Sequence, residues 1–209
     1  MKVSIIDYGA GNISSIQNAL NFLGIKSEVC QTPNKIEAAD AIIVPGVGAF
    51  AEGMNNLHHL NLVDALKDAV LKKETPYLGI CLGMQYLADY SLEDGRTDGL
   101  GFIGGSIEKI ETSQLSVPNV GWRSLNILHD ESLFCKNANE RFFYFDHSYH
   151  FQLKDKKHLV ASIDYEQEII AAVNLKNIFG VQFHPEKSQY AGLKFLKNYY
   201  KMLGLRDGK

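Results

Sequence analysis

The chain has 209 residues, 45% hydrophobic and 22% charged, with a formal net charge of -3 and a pI near 6.2. That content suits one substantial core, hence a single domain over 1–209, and the scattered Lys and Arg residues argue against a nucleic-acid partner. Three widely separated cysteines, Cys30, Cys81 and Cys135, speak against a disulfide framework and for a reducing compartment, and no segment reads as a signal peptide or membrane span, so the expected setting is cytoplasmic.

In chain order, Val3 to Ile6 is an apolar strand ending at Asp7, and Gly9 to Asn12 makes a turn. Ile13, Ile16, Leu20 and Leu23 then recur at helical spacing up to Gly24. Further strands are expected over Lys26 to Cys30, Ala41 to Val44 and Tyr77 to Ile80. Strands alternating with helices predict an α/β fold with a mostly parallel central sheet flanked by helices, which gathers Asp7, Gly46 and Cys81 along one sheet edge. From Phe102 to Val181 the pattern changes to short β-like stretches: Ile107 to Ile110, Phe142 to Phe145, Leu159 to Ile163, Ile169 to Val173 and Ile178 to Gln182. Intervening turn residues predict antiparallel hairpins added to the parallel core. A closing helix is expected from about Gln189 to Leu203, with Leu193, Leu196, Tyr200 and Leu203 on one face.

Three segments carry chemistry. Gly79-Ile80-Cys81-Leu82-Gly83 places a thiol between two glycines where a strand turns into a helix, following the logic of a nucleophile elbow. A thiol packed behind an ordinary turn has the same spacing. In Phe183-His184-Pro185-Glu186, the proline pushes His184 toward extended geometry, and Glu186, two residues on, faces the same way and can orient the imidazole. A structural histidine beside an apolar strand fits the tripeptide as well. Pro45 to Phe50 supplies glycines whose backbone N–H groups can turn toward a reacting centre, or simply a turn between strand and helix.

Other chemistries find little support. No phosphate-binding loop is present, and Gly9 to Gly11 lacks a full dinucleotide fingerprint. His58 and His59 point apart on a helix, His147 and His150 flank a strand-like stretch, and no Cys-x-x-Cys occurs, so no metal is expected. Phe142 to Phe145 reads as a core strand rather than a base-stacking platform.

Taken in order, Ile6 to Asn12, Pro45 to Phe50, Gly79 to Gln85, Gly99-Leu100-Gly101, Gly121-Trp122, His147-Ser148-Tyr149 and Phe183 to Ser188 resemble the class I, triad-type glutamine amidotransferases over nearly the whole chain. Within them, the set is similar to the glutaminase subunits of imidazole glycerol phosphate synthase. The resemblance implies a flavodoxin-like core and hydrolysis of L-glutamine without a cofactor. Cys81 is implied as nucleophile, His184 as general base and acid, and Glu186 as orienting carboxylate. Gly46, Val47, Gly48 and Leu82 are implied at an oxyanion hole, and Gly48, Gln85, Glu93, Ser148 and Tyr149 around the substrate.

The resemblance also implies a (β/α)8-barrel cyclase as heterodimer partner, receiving ammonia in histidine biosynthesis, with Asn12, Asn119, Trp122, Arg123, Tyr144 and Lys187 facing it. Asn119 and Arg123 depart from the histidine-pathway pattern, which usually has histidine and asparagine there, and Asp146 replaces an apolar residue. These departures leave open a paralogous subunit supplying ammonia for modification of a bacterial surface sugar. A stand-alone cysteine hydrolase would share the elbow and the His184 and Glu186 pair, and a catalytically idle binding module would share the fold.

Overall fold

Three apolar runs of the first half, at Val3–Ile6, Ala41–Gly46 and Tyr77–Cys81, are strands buried on both faces, and Ser27–Cys30 is a half-buried strand at the sheet edge. A computed structural model describes residues 2–129, 131–134 and 141–204; Cys135 lies outside them. Strands β1 (Val3–Ile6), β2 (Ser27–Cys30), β3 (Ala41–Gly46) and β4 (Tyr77–Cys81) are parallel. They alternate with helices α1 (Ile13–Phe22), α2 (Pro33–Glu37), α3 (Phe50–His59) and α4 (Leu62–Lys67), and α5 (Leu82–Gln85) follows β4 directly. Helix α1 begins where the Asn12 side chain accepts from Ser15 N–H, and it buries Ile16, Ala19 and Leu20 at helical spacing.

The second half contributes β5 (Tyr90–Ser91), β6 (Thr97–Asp98), β7 (Gly105–Lys109), β8 (Asn119–Ser124), β9 (Asn126–Ile127), β10 (Phe142–His147) and β11 (Tyr149–Leu153). It ends with β12 (Leu159–Tyr165), β13 (Gln167–Leu175), β14 (Ile178–Val181) and helix α6 (Gln189–Met202). The main sheet has eight strands in the order β2-β1-β3-β4-β14-β13-β12-β9. Strand β14 is parallel to β4, and the strands beyond it are antiparallel. This is the expected α/β arrangement of a mostly parallel sheet with added antiparallel strands.

Successive residues of the parallel strands point to opposite faces, and each face has its own core. Val3, Ile5, Ile43 and Leu78 pack with α1 and with Phe195, Leu196 and Tyr199 of α6. Ile6, Ile42, Val44 and Tyr77 pack with Phe50, Leu57 and Leu66 on the other side.

Two features of the second half differ from the expected hairpins. The stretches at β7 and β10 leave the main sheet: β10 pairs with β8 in a two-stranded sheet, and β7 lies between β11 and β5 in a four-stranded one. Strands β8 and β11 are also not among the expected elements. Asn119, Gly121 and Arg123 interrupt the apolar pattern of the first. Only Ser148 separates β11 from β10, so no turn motif marks where the chain changes sheets.

Candidate active site

Cys81 closes β4 with φ 54° and ψ -110°, and α5 begins at the next residue. A positive φ is costly for a residue with a Cβ, and strain of this kind collects at functional sites. The flanking glycines are required by close approach. A Cβ on Gly79 would lie 2.4 Å from the Gly83 carbonyl oxygen, and one on Gly83 would lie 1.8 Å from the Val44 carbonyl oxygen. Both obstacles are backbone, so neither can swing aside. Gly83→Ala is therefore expected to destabilise the chain by about 3 kcal/mol or more, read as a lowered denaturant midpoint. An unchanged midpoint would show that the elbow has room to spare.

The neighbours of β4 bring the other groups. Gly46, at the end of β3, is in register with Cys81, while Ile80 pairs with Val181 of β14. The chain leaving β14 thus carries Gln182, Phe183 and His184 past the thiol. His184 is 2% exposed, and its Nδ1 is 2.8 Å from Glu186 Oε1, which leaves Nε2 for the cysteine. The side chain of Glu186 is itself 1% exposed. Burial alone would lower the imidazole pKa. The negative charge and hydrogen bonding of Cys81, together with the Glu186 carboxylate, outweigh it and push His184 up to about 10.

Residues without an expected catalytic role hold this segment. Tyr144 of β10 accepts from His184 N–H through its carbonyl, and its own N–H donates to Ser188 Oγ, which in turn donates to the His184 carbonyl. Gln182 is fully buried and donates from Nε2 to Cys81 Sγ at 3.6 Å. Asp7 ends β1 at the same sheet edge, yet it binds Gly9 N–H and Gln31 outside the thiol cavity.

A cavity of about 290 Å³ opens beside the sulfur. Besides Cys81 its wall includes Val47, Gly48, Leu82, Gln85, Glu93, Pro118, Asp146, His147, Ser148 and Tyr149. Every residue expected around a substrate is therefore gathered here, together with Val47 and Leu82 of the expected oxyanion hole; Gly46 does not line the cavity but is in register with Cys81. Gln85 Nε2 donates to the Tyr149 carbonyl and to Gln182 Oε1. Glu93 Oε2 accepts from Phe50 N–H, tying the acidic wall to the start of α3.

The residues expected to face a partner divide between two faces of the β8–β10 ladder. Trp122 is 41% exposed, meets Tyr144 edge-on with centroids 6.1 Å apart, and lies on the face that also carries Val120 and Phe142. Lys187 Nζ lies 5.5 Å from the Tyr144 ring centre, and Asn12 is exposed at the start of α1. Asn119 and Arg123 are different: strand alternation turns them to the inner face. Asn119 is fully buried and donates to His147 Nε2, while Arg123 Nε donates to Asn119 Oδ1. The expectation that Asn119 offers its side chain to a partner is corrected accordingly, while Arg123, four residues on and on the same face, is half-buried with its Nε turned to Asn119. Asp146 is exposed on the outer face at the cavity mouth.

His147 and His150 are both buried, on strands β10 and β11. Among the described residues, no group of three or more His, Cys, Asp and Glu side chains is arranged to hold a metal ion. No helix among them is long and apolar enough to cross a membrane.

Comparison with known proteins gives this geometry a context. The family model described as "Glutamine amidotransferase class-I" matches residues 4–202. An imidazole glycerol phosphate synthase subunit HisH 2 of Methanococcus maripaludis is 42% identical, with 95% of this chain and 98% of the relative covered. A subunit HisH 1 of Campylobacter jejuni is 40% identical, with 96% and 100% covered. Among solved structures, one described as a glutamine amidotransferase superposes with a TM-score of 0.73 at 16% identity, covering 97% of this chain and 99% of that one. PurLQS of Thermotoga maritima gives 0.71 at 17%, covering 96% and 98%; at these identities the likeness concerns the fold. With a family match spanning nearly every described residue and relatives at 40% and 42% identity aligned almost end to end, the chain belongs to the class-I glutamine amidotransferases.

Proposed function

We propose that this chain is a glutaminase that hydrolyses L-glutamine through Cys81, His184 and Glu186 and hands the ammonia to a partner subunit. The observation that carries the reading is the placement of a strained, cavity-lining Cys81 beside a buried His184 whose Nδ1 is held by Glu186. Cys81 gives its proton to His184 Nε2, and the thiolate attacks the side-chain amide carbon of glutamine. Backbone N–H groups of the Gly46 to Gly48 turn and Leu82 stabilise the oxyanion. The imidazolium then protonates the leaving nitrogen, the C–N bond breaks, and ammonia departs from a glutamyl thioester. The same imidazole takes a proton from water, whose oxygen attacks the thioester; glutamate leaves and the thiol is restored. Gln85, Glu93, Ser148 and Tyr149 surround the amino-acid portion of the substrate, and these steps need no cofactor.

Ammonia released into neutral water becomes largely ammonium and loses its nucleophilicity, so a receiving active site must cover the cavity. The relatives named as synthase subunits support a (β/α)8-barrel cyclase that uses the ammonia in histidine biosynthesis. Residues 1–209 act as one catalytic domain in the cytoplasm. Trp122, Tyr144 and Lys187 form the centre of the docking face, with Asn12 beyond it. Trp122→Ala is expected to weaken the complex about 30-fold. A titration of cyclase against glutaminase activity would read this loss, while the rate of Cys81 alkylation in the isolated chain stays unchanged. Equal affinity for the parent and the variant would remove Trp122 from the interface.

Asp146, exposed and lining the cavity where the resemblance expects an apolar residue, favours a second reading, in which a specialised synthase that modifies a surface sugar receives the ammonia. Glutamate formation should be measured for the chain alone, with a histidine-pathway cyclase, with that cyclase plus its acceptor ligand, and with a sugar-modifying synthase, using Cys81→Ala as control. Full stimulation by the cyclase supports the first reading. Stimulation only by a sugar-modifying synthase supports the second. Glutamate release without any partner and independent of Cys81 would overturn both.

A further inference from the structure

We propose that Gln182 positions the Cys81 sulfur and stabilises its thiolate, as the last link of a buried hydrogen-bonded chain that begins at Arg123. The proposal builds on Cys81 as the nucleophile and assigns a role to a residue outside the Cys81, His184 and Glu186 set.

The orientation of every amide in the chain follows from its neighbours. A backbone carbonyl only accepts, so the group that Gln85 turns to the Tyr149 oxygen at 3.0 Å is its NH2. That same nitrogen lies 3.1 Å from Gln182, which must answer with its oxygen, and the Gln182 NH2 is thereby directed at Cys81 Sγ, 3.6 Å away. From the other end, a guanidinium only donates, so Asn119 turns its oxygen to Arg123 Nε at 2.9 Å and its NH2 to His147 Nε2 at 3.0 Å. His147 therefore carries its proton on Nδ1 and donates it to the Tyr149 carbonyl at 2.8 Å. The two directions of inference meet at one carbonyl oxygen, whose two lone pairs accept both bonds. Burial keeps His147 neutral, with its pKa pushed down to about 4, so no protonation event reverses the chain in the working range.

Gln182 suits this task for three reasons. It is 0% exposed, so water does not screen its dipole or replace its N–H. It follows β14 directly, beside the strand that ends at the thiol, so the backbone ladder fixes its distance from the sulfur. It also contributes a donor that never competes for the thiol proton, unlike His184. The sulfur thus has a donor that stabilises its charge and a separate base that moves its proton.

The test is the pH dependence of Cys81 alkylation by iodoacetamide in the intact chain, followed by mass spectrometry of the Cys81 peptide. Gln182→Met keeps the side-chain length and removes the donor; the thiol pKa is expected to rise by about one unit, with kcat for glutamate formation falling about 10-fold and KM little changed. Gln182→Glu keeps the bond from Gln85, loses the donor when ionised and adds a negative charge, so it should raise the thiol pKa further. Should the methionine variant lose its cooperative unfolding transition, the isosteric glutamate variant decides the question. An alkylation profile superimposable on the parent's in a folded variant would overturn the proposal, because a purely structural Gln182 would change activity without moving the thiol titration. Alkylation requires no glutamine, so variants that show the shift while the parent chain forms no glutamate would sink the glutaminase reading and leave this one standing.

Discussion

Replacing Cys81 with alanine should abolish glutamate formation, a loss of at least about 10^4-fold, while the unfolding midpoint stays near that of the parent. Alanine keeps a Cβ in the same backbone conformation, so the strain at φ 54° remains and the fold is held as before. Only the sulfur is lost. Cys81→Gly offers a sharper comparison: it too removes the nucleophile, but it relieves the positive-φ penalty and should raise stability by about 1 kcal/mol. An inactive variant more stable than its parent is what a strained nucleophile predicts. Activity surviving in the alanine variant, or a glycine variant less stable than the alanine one, would contradict a strained catalytic elbow. Glutamate assays with the partner present and denaturant titrations give both readings.

The second large effect is expected at Glu186. Its Oε1 holds His184 Nδ1, and its Oε2 is buried with no hydrogen-bond partner among the described residues. Glutamine at this position keeps an oxygen toward the imidazole and places its NH2 where Oε2 stood, so Glu186→Gln removes chiefly the charge. Glu186→Leu removes the acceptor as well and leaves His184 Nδ1 buried and unpaired. About a 10^2-fold fall in kcat is expected for glutamine, and about 10^3-fold for leucine. The pH profile supplies the sign. The carboxylate helps raise the His184 pKa to about 10, so its loss lowers that value. The imidazolium that protonates the leaving nitrogen is then lost at a lower pH, and the alkaline limb of kcat moves toward neutrality. A profile that falls in height with its alkaline limb unmoved would mean that Glu186 acts on something other than the imidazole.

The parts of this site that are legible in the sequence are those whose geometry is local. A glycine two residues either side of a thiol, and a carboxylate two residues past a histidine, declare their relation within a few residues of chain. The parallel core is legible for the same reason, since each βαβ unit is contiguous. Gln182 and Ser188 flank the histidine motif without disclosing a role, because the task of Gln182 depends on β14 lying against β4, about a hundred positions away, and that of Ser188 on Tyr144 of β10. Trp122 and Arg123 show a different limit. Their adjacency suggests a shared surface, while the alternation of β8 turns Trp122 outward and Arg123, half-buried, to the opposite face. The irregular pattern of Asn119 to Ser124 gives no sign that the segment is a strand, so its two faces cannot be told apart from sequence.

The Arg123, Asn119 and His147 series has an energetic consequence. Asn119 is the cross-strand neighbour of His147, and its oxygen is occupied by Arg123. A substitution at Asn119 alone leaves a buried imidazole nitrogen without its donor, and one at Arg123 alone lets the amide rotate away from the histidine. The two side chains are therefore energetically coupled, and a double-mutant cycle on stability should show them to be non-additive. The outer residues Val120 and Ser124 of the same strand are exposed and stand outside this series. One strand thus presents separable positions on its outside and a single cooperative unit on its lining.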